Sequence, residues 1–450
     1  MTAYCSDIDT CRTLRQIIQP AVSALIASTY LSVHQNINRR GLPWYSEAVN
    51  TVIIIIVALL VPEWIFMWAL RSYIIARRTQ RELEQARSEA KSEWGNPGFV
   101  GNLPLASDTG QRGYGIGVVD RNEKYTIAHA FFVNMGGLLM YDLDGNSYGP
   151  LDMGTTIRLI RGGHLLLPRL ERLQGVSKTT TFGQSFAAAQ LFSFLLDCSV
   201  RICQGLPLAD FEIMAYAHAW IAVASFGFWW VKPQNVSCAE VVSIEVVAMA
   251  NDPDSASEPP ANIGRIRGFY RTFPVWQVVY AFAFGNQDSL YSIRNLASVP
   301  MFWSGDPSSI FAQPESGLRR TGSGRVRDAY LQAAYYTLPV ILFFGAVHCI
   351  GWNIQTAAIQ RVLWRGAAVA VAAVAVVMFI SYWACIIPGF RGNWRAATHF
   401  LACVSILTTI VYIVARVVLL VISCASLGHL APEMYISKPI PFPWSIIIQT

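Results

Sequence analysis

The sequence predicts an all-α fold: a polytopic membrane helical bundle of about seven transmembrane helices with long cytosolic loops. Three observations carry that expectation. Hydrophobic residues make up 53% of the 450-residue chain and charged residues only 14%, against about 25% charged in an ordinary soluble domain. Apolar stretches of helical length recur, led by Thr51–Leu70, TVIIIIVALLVPEWIFMWAL. About 20 mostly apolar residues at ~1.5 Å each match the hydrocarbon thickness of a bilayer. Arginines and a lysine follow at once (Arg71, Arg77, Arg78, Arg81, Arg87, Lys91), and basic flanks resist translocation, which predicts that this end lies in the cytosol.

The chain divides into six regions on this reading. Residues 1–70 hold an N-terminal tail and the first two spans, Ile17–Val33 (with Gln19 and Pro20) and Thr51–Leu70. Residues 71–181 form a cytosolic region that opens on an exit helix, RSYIIARRTQRELEQARSEAKSEW, rich in helix formers, where Arg77–Arg78 and Glu82–Glu84 offer opposite charges about four residues apart. Within it, Thr126–Tyr141 (TIAHAFFVNMGGLLMY) is apolar but short and interrupted by Gly136–Gly137, so a re-entrant or surface-lying segment is expected. Residues 182–231 carry the third and fourth spans, Phe182–Cys203 and Phe211–Val231. The latter ends in an interfacial aromatic belt, with Lys232 in water and Pro233 as terminator.

Residues 232–332 read as a cytosolic loop, partly disordered around NDPDSASEPP (251–260), with Arg319, Arg320, Arg325 and Arg327 near its end. Residues 333–424 hold the last three spans, near Ala333–Asn353, Gly366–Ile387 and His399–Cys424, and 425–450 form a proline-containing tail. Seven crossings with both basic clusters inside put the N-terminus in the cytosol and the C-terminus outside. Arg39, Arg40, Arg361 and Arg365 fall on the outer side in this scheme and strain it.

Composition excludes several classes. The net charge of +6 is what basic cytosolic edges supply, so the expected partner is the lipid bilayer, with a cytosolic protein partner through 71–181 or 232–332, and no nucleic acid. The nine cysteines are scattered without a Cys-x-x-Cys pair or a His/Cys cluster, so neither a metal nor another cofactor is expected. Cys5 and Cys11 can form a disulfide only if the N-terminus is lumenal. GYGIG (Gly113, Gly115, Gly117) lacks the strand and helix of a phosphate-binding fingerprint. No nucleophile elbow or Ser/His/Asp set stands out, and no catalytic residue is assigned.

Polar groups inside apolar segments are the candidate sites, because a charge in hydrocarbon costs at least ~2.5 kcal/mol. Glu63 follows Pro62, which frees a backbone carbonyl one turn earlier. Asp197 and Arg201 are four residues apart and can neutralise each other on one helix face. Arg416 either snorkels or pairs with Glu63 or Asp197. His129 sits in the broken apolar segment beside Phe131, Phe132 and Met135. His218 and His348 read as satisfied core histidines.

Several motifs are shared with known sequences. AHAFFVNMGG (Ala128–Gly137), RICQGLPLADFE (Arg201–Glu212), WWVKPQNV (Trp229–Val236), Pro62-Glu63 and ARVVLLVISCASL (Ala415–Leu427) together resemble a family of fungal integral membrane proteins with no assigned biochemical function. The chain departs from that family at GVSKTTTFG (Gly175–Gly183), where an Asp-Lys-Ser-Lys-Gly-Asp-like tract is expected. The resemblance implies a multi-pass membrane protein and carries over no catalytic residue. A non-enzymatic scaffold or sensor-like component is the first expectation. A transporter or channel using Glu63, Asp197 and Arg416 is the alternative, and a membrane-embedded enzyme the second.

Overall fold

The computed structural model describes residues 11–37, 43–94, 123–141, 147–177, 181–234, 236, 239–243, 296, 298–305, 322–355, 357–386 and 395–437. Helices dominate: α1 (Leu14–Ile26), α2 (Trp44–Leu60), α3 (Pro62–Trp94), α4 (Ile127–Asn134), α5 (Met153–Arg161), α6 (Leu170–Val176), α7 (Thr181–Cys203), α8 (Asp210–Trp229), α9 (Gly322–His348), α10 (Ala358–Ile386) and α11 (Arg395–Ser426). Strands β1 (Leu138–Tyr141), β2 (Ser147–Pro150) and β3 (Glu240–Ser243) form a sheet in the order β2-β1-β3. The β1–β2 pair is antiparallel and β1–β3 parallel.

Local chemistry sets the first elements. Thr13 and Gln16 cap α1 reciprocally. The helix then widens into a π-turn over Ala27–Leu31, where the Ser28 and Thr29 hydroxyls both bond the Leu25 carbonyl. Thr51–Leu70, expected as one span, is two helices whose axes bend by 107°. The reason is Pro62: it has no N–H to continue the ladder, and it drives the preceding Val61 out of helical geometry, to φ −137° and ψ 61°. Proline then serves as the first residue of α3, which continues without interruption through the exit segment to Trp94.

Among the described residues, three helices are long and apolar enough to cross a membrane: Phe182–Cys203, Asp210–Trp229 and Cys403–Ser426. Counting the bent α2–α3 pair as one span makes four. That is fewer than the seven expected. Ile17–Val33 is shared between a 13-residue α-helix and the π-turn, the apolar part of α9 is the shorter Tyr335–Gly351, and 366–387 runs past the described residues. The outward faces of these helices carry large apolar side chains, among them Ile53 and Ile56 on α2, Phe186 and Phe192 on α7, and Leu407 and Val414 on α11.

Two cores hold the molecule, and α3 belongs to both. Phe66 and Leu70 pack with α1, α7, α8, α9, α10 and α11. Ile65, Trp68, Ala76 and Leu83 pack with α4, the sheet and α5, which form a cap. The cap corrects two expectations. The chain is not purely helical, and 126–141 is not one surface-lying or re-entrant apolar segment. It is a buried helix, a turn and a strand. Gly136 makes that turn at φ +90°, and a Cβ on Gly137 would lie 2.5 Å from the Phe132 carbonyl oxygen, so the chain reverses here only with glycine.

The two ends of the chain meet. Arg12 N–H donates to the Tyr435 carbonyl at 2.8 Å, Cys11 bridges to Ile436, and the Arg12 guanidinium forks onto both Glu212 oxygens at 2.5 and 2.8 Å. Cys11 is disulfide-bonded. Its partner lies outside the described residues, as do Cys5, Arg39 and Arg40.

At the opposite end of the bundle, Lys232 is buried rather than in water, at 2% exposure. Its ammonium donates to the His34 carbonyl at 2.6 Å and Asn36 Oδ1 at 3.2 Å, and lies 4.8 and 5.0 Å from the Trp68 and Trp229 ring centres. Burial pushes Lys232 down to about 7, and burial together with the Lys232 charge lowers His34 to about 3.

Two outcomes test this account. Gly137→Ala is expected to destabilise the cap by about 1–3 kcal/mol, read as faster limited proteolysis of residues 127–161 with the helices left intact. For Lys232 the folded-state value lies below the unfolded one, so the unfolded chain holds the proton between about pH 7 and 10 and the folded chain does not. Stability therefore rises with pH across that window, and the rise in melting temperature should flatten in Lys232→Met.

Candidate functional site at a helix break inside the bundle

The break at Val61 has an electrical consequence. A helix that ends leaves its last carbonyls without intrahelical donors, and here those carbonyls face the bundle. Arg416, in the middle of α11, answers them: Nε donates to the Leu60 carbonyl and Nη2 to the Leu59 carbonyl, both at 3.1 Å. The guanidinium is 0% exposed and lies 4.5 Å above the Phe344 ring centre. Its remaining contacts are two imidazoles, Nη1 to His348 Nε2 and Nη2 to His218 Nε2, each at 3.1 Å.

The acid of the centre is Glu63, in the first turn of α3, where the helix dipole favours a carboxylate. One turn before Arg416, the Tyr412 hydroxyl reaches both Glu63 oxygens at 2.6 Å. Four helices thus contribute side chains to one centre, with α3 giving the acid, α8 and α9 a histidine each, and α11 the phenol and the cation. The α2 carbonyls complete it. Such an arrangement can hold an ionised pair out of water, and it presents titratable groups that can exchange protons.

Of the residues singled out from the sequence, Glu63 and Arg416 come together. Arg416 does not snorkel, because orphaned carbonyls hold it inward. Asp197 and Arg201 do not neutralise each other. Arg201 donates instead to the carbonyls of Ile436 and Pro207, both at 3.0 Å, since the Gly205–Pro207 turn and the tail present carbonyls closer to its fork. Asp197 is half-buried on α7. His129 is a structural tie in the cap: its Nδ1 accepts from the Thr126 N–H and its Nε2–H donates to the Pro168 carbonyl, each at 3.0 Å. Burial lowers its pKa, with the Pro168 carbonyl opposing.

Tyr412, His218 and His348 were the residues that sequence reasoning missed as site members. Tyr412 stands four residues before Arg416, and that spacing was the available signal. The histidines gave none singly, because their common partner is remote in sequence. Among the described residues no group of three or more His, Cys, Asp or Glu could hold a metal ion.

The protein is mostly helical, and among the described residues three helices are long and apolar enough to cross a membrane. Residues 2–254, more than half of the chain, match the family of unknown function DUF8562, and the protein belongs to that family. No curated protein and no solved structure matches it. The matched part includes Pro62, Glu63 and His218, whereas His348, Tyr412 and Arg416 lie beyond it.

Removing the cation should be costly. Arg416→Ala leaves two carbonyls and Glu63 unanswered and is expected to destabilise the protein by about 3–5 kcal/mol, measured as thermal unfolding in detergent. Tyr412→Phe removes a single charge-assisted bond and should cost about 1.5–3 kcal/mol. In a Glu63→Gln background its effect should shrink to that of a neutral hydrogen bond, about 0.5–1.5 kcal/mol.

Proposed function

We propose that the protein is a multi-pass membrane protein of scaffold or sensor type, without enzyme chemistry, in which α3 couples the buried centre to the cap. One observation carries the reading: α3 is a single 33-residue helix, about 50 Å long at 1.5 Å per residue. Its first turn holds Glu63 against Tyr412. Far along it, Glu84 accepts the Tyr125 N–H at 2.9 Å and Glu89 pairs with Arg161 at 2.5 Å. A shift at the break is therefore carried by a rigid rod into the cap.

The outward apolar faces support a lipid bilayer as partner, and the resemblance to fungal integral membrane proteins supports the same reading. The topology we infer differs from a count of seven. Ile37 N–H bonds the Met135 carbonyl at 3.0 Å, so α2 sets out from the cap end. Arg71 bonds Ser304 at 2.7 Å, so α3 returns to that end. The pair is then re-entrant, and α1, α7, α8, α9, α10 and α11 make the crossings. The basic residues of α3, with exposed Arg77 and Arg81, favour a cytosolic cap. Both termini then lie on the far side, where the Cys11 disulfide is chemically at home. Residues 71–181 and 232–332 are the surfaces available to a cytosolic protein partner.

A transporter is the second reading. It is favoured by the broken helix, whose end carbonyls and titratable neighbours sit mid-bundle as ion sites of transporters do. Glu63 and Arg416 belong to that reading and Asp197, outside the centre, does not.

The deciding experiment uses the full chain in lipid. Glu63→Gln should alter hydrogen exchange in cap residues 127–161 with no change in proton or cation flux into liposomes. Flux that depends on Glu63, with an unaltered cap, would replace the sensor reading with transport. Reporters at the two termini should both report the lumenal side, and one inserted within 95–122 the cytosol.

A further inference from the structure

His218 meets more partners than a neutral imidazole can serve. Its Nδ1 lies 2.8 Å from the Met214 carbonyl, and its Nε2 lies 2.9 Å from the Leu59 carbonyl and 3.1 Å from Arg416 Nη2. Both carbonyl oxygens lie at donor distance from a ring nitrogen, while the guanidinium favours a ring lone pair. A neutral ring has one of each. With the proton on Nδ1, His218 serves Met214 and Arg416 and turns a lone pair toward the Leu59 oxygen. With the proton on Nε2, it serves Leu59 and opposes Arg416.

His348 shows no such conflict. Its Nδ1 faces the Phe344 carbonyl at 2.8 Å and its Nε2 faces only Arg416, at 3.1 Å, which the neutral Nδ1–H form satisfies completely. The two histidines touch the same cation, yet only His218 has a place waiting for a second proton.

We propose that His218 is a proton-binding site, and that a proton on its Nε2 displaces Arg416 from the Leu59 carbonyl. The proton comes from bulk water and no covalent bond of the protein breaks. The imidazolium then donates to Met214 and Leu59 together, Arg416 Nη2 loses the ring lone pair, and two like charges crowd the one Leu59 oxygen, which drives the guanidinium off it. Its nearest anion is Glu63, held on Tyr412 one helical turn away on α11. The titratable or charged groups facing the site from the packed helices are Glu63 on α3, His348 on α9, and Tyr412 and Arg416 on α11. They comprise one acid, one cation, one neutral ring and one phenol. Binding thus trades a clamp on the α2–α3 break for an Arg416–Glu63 contact, and frees the break to move.

The consequence for the cap rests on the coupling by α3 proposed above; the proton site itself does not. The test uses the full chain in lipid nanodiscs with isotope-labelled histidine, titrated from about pH 8 to 4, the range over which imidazole switches charge. His218 should become doubly protonated and His348 should stay neutral, with signals assigned through His218→Gln and His348→Gln. Hydrogen exchange across 57–66 should rise several-fold over the same step in the wild type and in His348→Gln, and stay flat in His218→Gln. A His218 that remains neutral to the lowest pH overturns the proposal without any variant, and so does a pH step that survives in His218→Gln. A step at 57–66 with no answering change at 127–161 leaves the proton site standing and removes the coupling.

Discussion

A helix that stops inside a bundle strands its last carbonyl oxygens where no water reaches them, and each must find a donor or be paid for in stability. At the Val61–Pro62 break the donor is the Arg416 guanidinium, and the rest of the centre follows from that choice. A buried cation needs an anion, which Glu63 supplies from the first turn of the next helix. A planar fork with five hydrogens needs acceptors on several sides. Two carbonyls from α2 and one imidazole each from α8 and α9 supply them. Four elements remote in sequence are thereby fixed against one another by hydrogen bonds whose loss exposes a charge to hydrocarbon.

The cap and the bundle are joined by the same economy. Trp68 and Trp229 form the faces around Lys232, and their indole N–H groups bond the Trp303 carbonyl and the Ser72 hydroxyl. The loop after α1, the end of α8 and the segment around Trp303 therefore converge on α3, where it passes from one core into the other. Polar atoms in this zone bond both to backbone carbonyls and to one another. Such a zone fixes register between layers more than it adds net stability.

Much of this was legible in the sequence where the signal is local. The apolar runs at 182–203, 211–231 and 399–424 are of spanning length, and they appear as α7, α8 and α11 near the expected bounds. The exit helix was legible from its composition, and Glu63 beside Pro62 was marked because a carboxylate in hydrocarbon demands a reason. The bend was not legible, since hydropathy averaged over Thr51–Leu70 carries no direction and a proline within a span is compatible with both a kink and a full stop. The cap sheet was hidden for a related reason: β3 comes from residues a hundred positions downstream of β1, and four-residue strands leave no periodic trace. Lys232 misled because a cation after two tryptophans has the pattern of an interfacial anchor. Its burial is decided by His34 and Asn36, nearly two hundred residues earlier.

The family match ends at residue 254, and the helix break with its acceptor groups lies before that boundary while the guanidinium and the phenol come after it. An amino-terminal fragment would carry a lock without a key: carbonyls and a carboxylate shaped around a side chain it does not encode. Any relative that shares only the matched portion must close its broken helix by other means, through a different donor within that portion or a separate subunit that lends one.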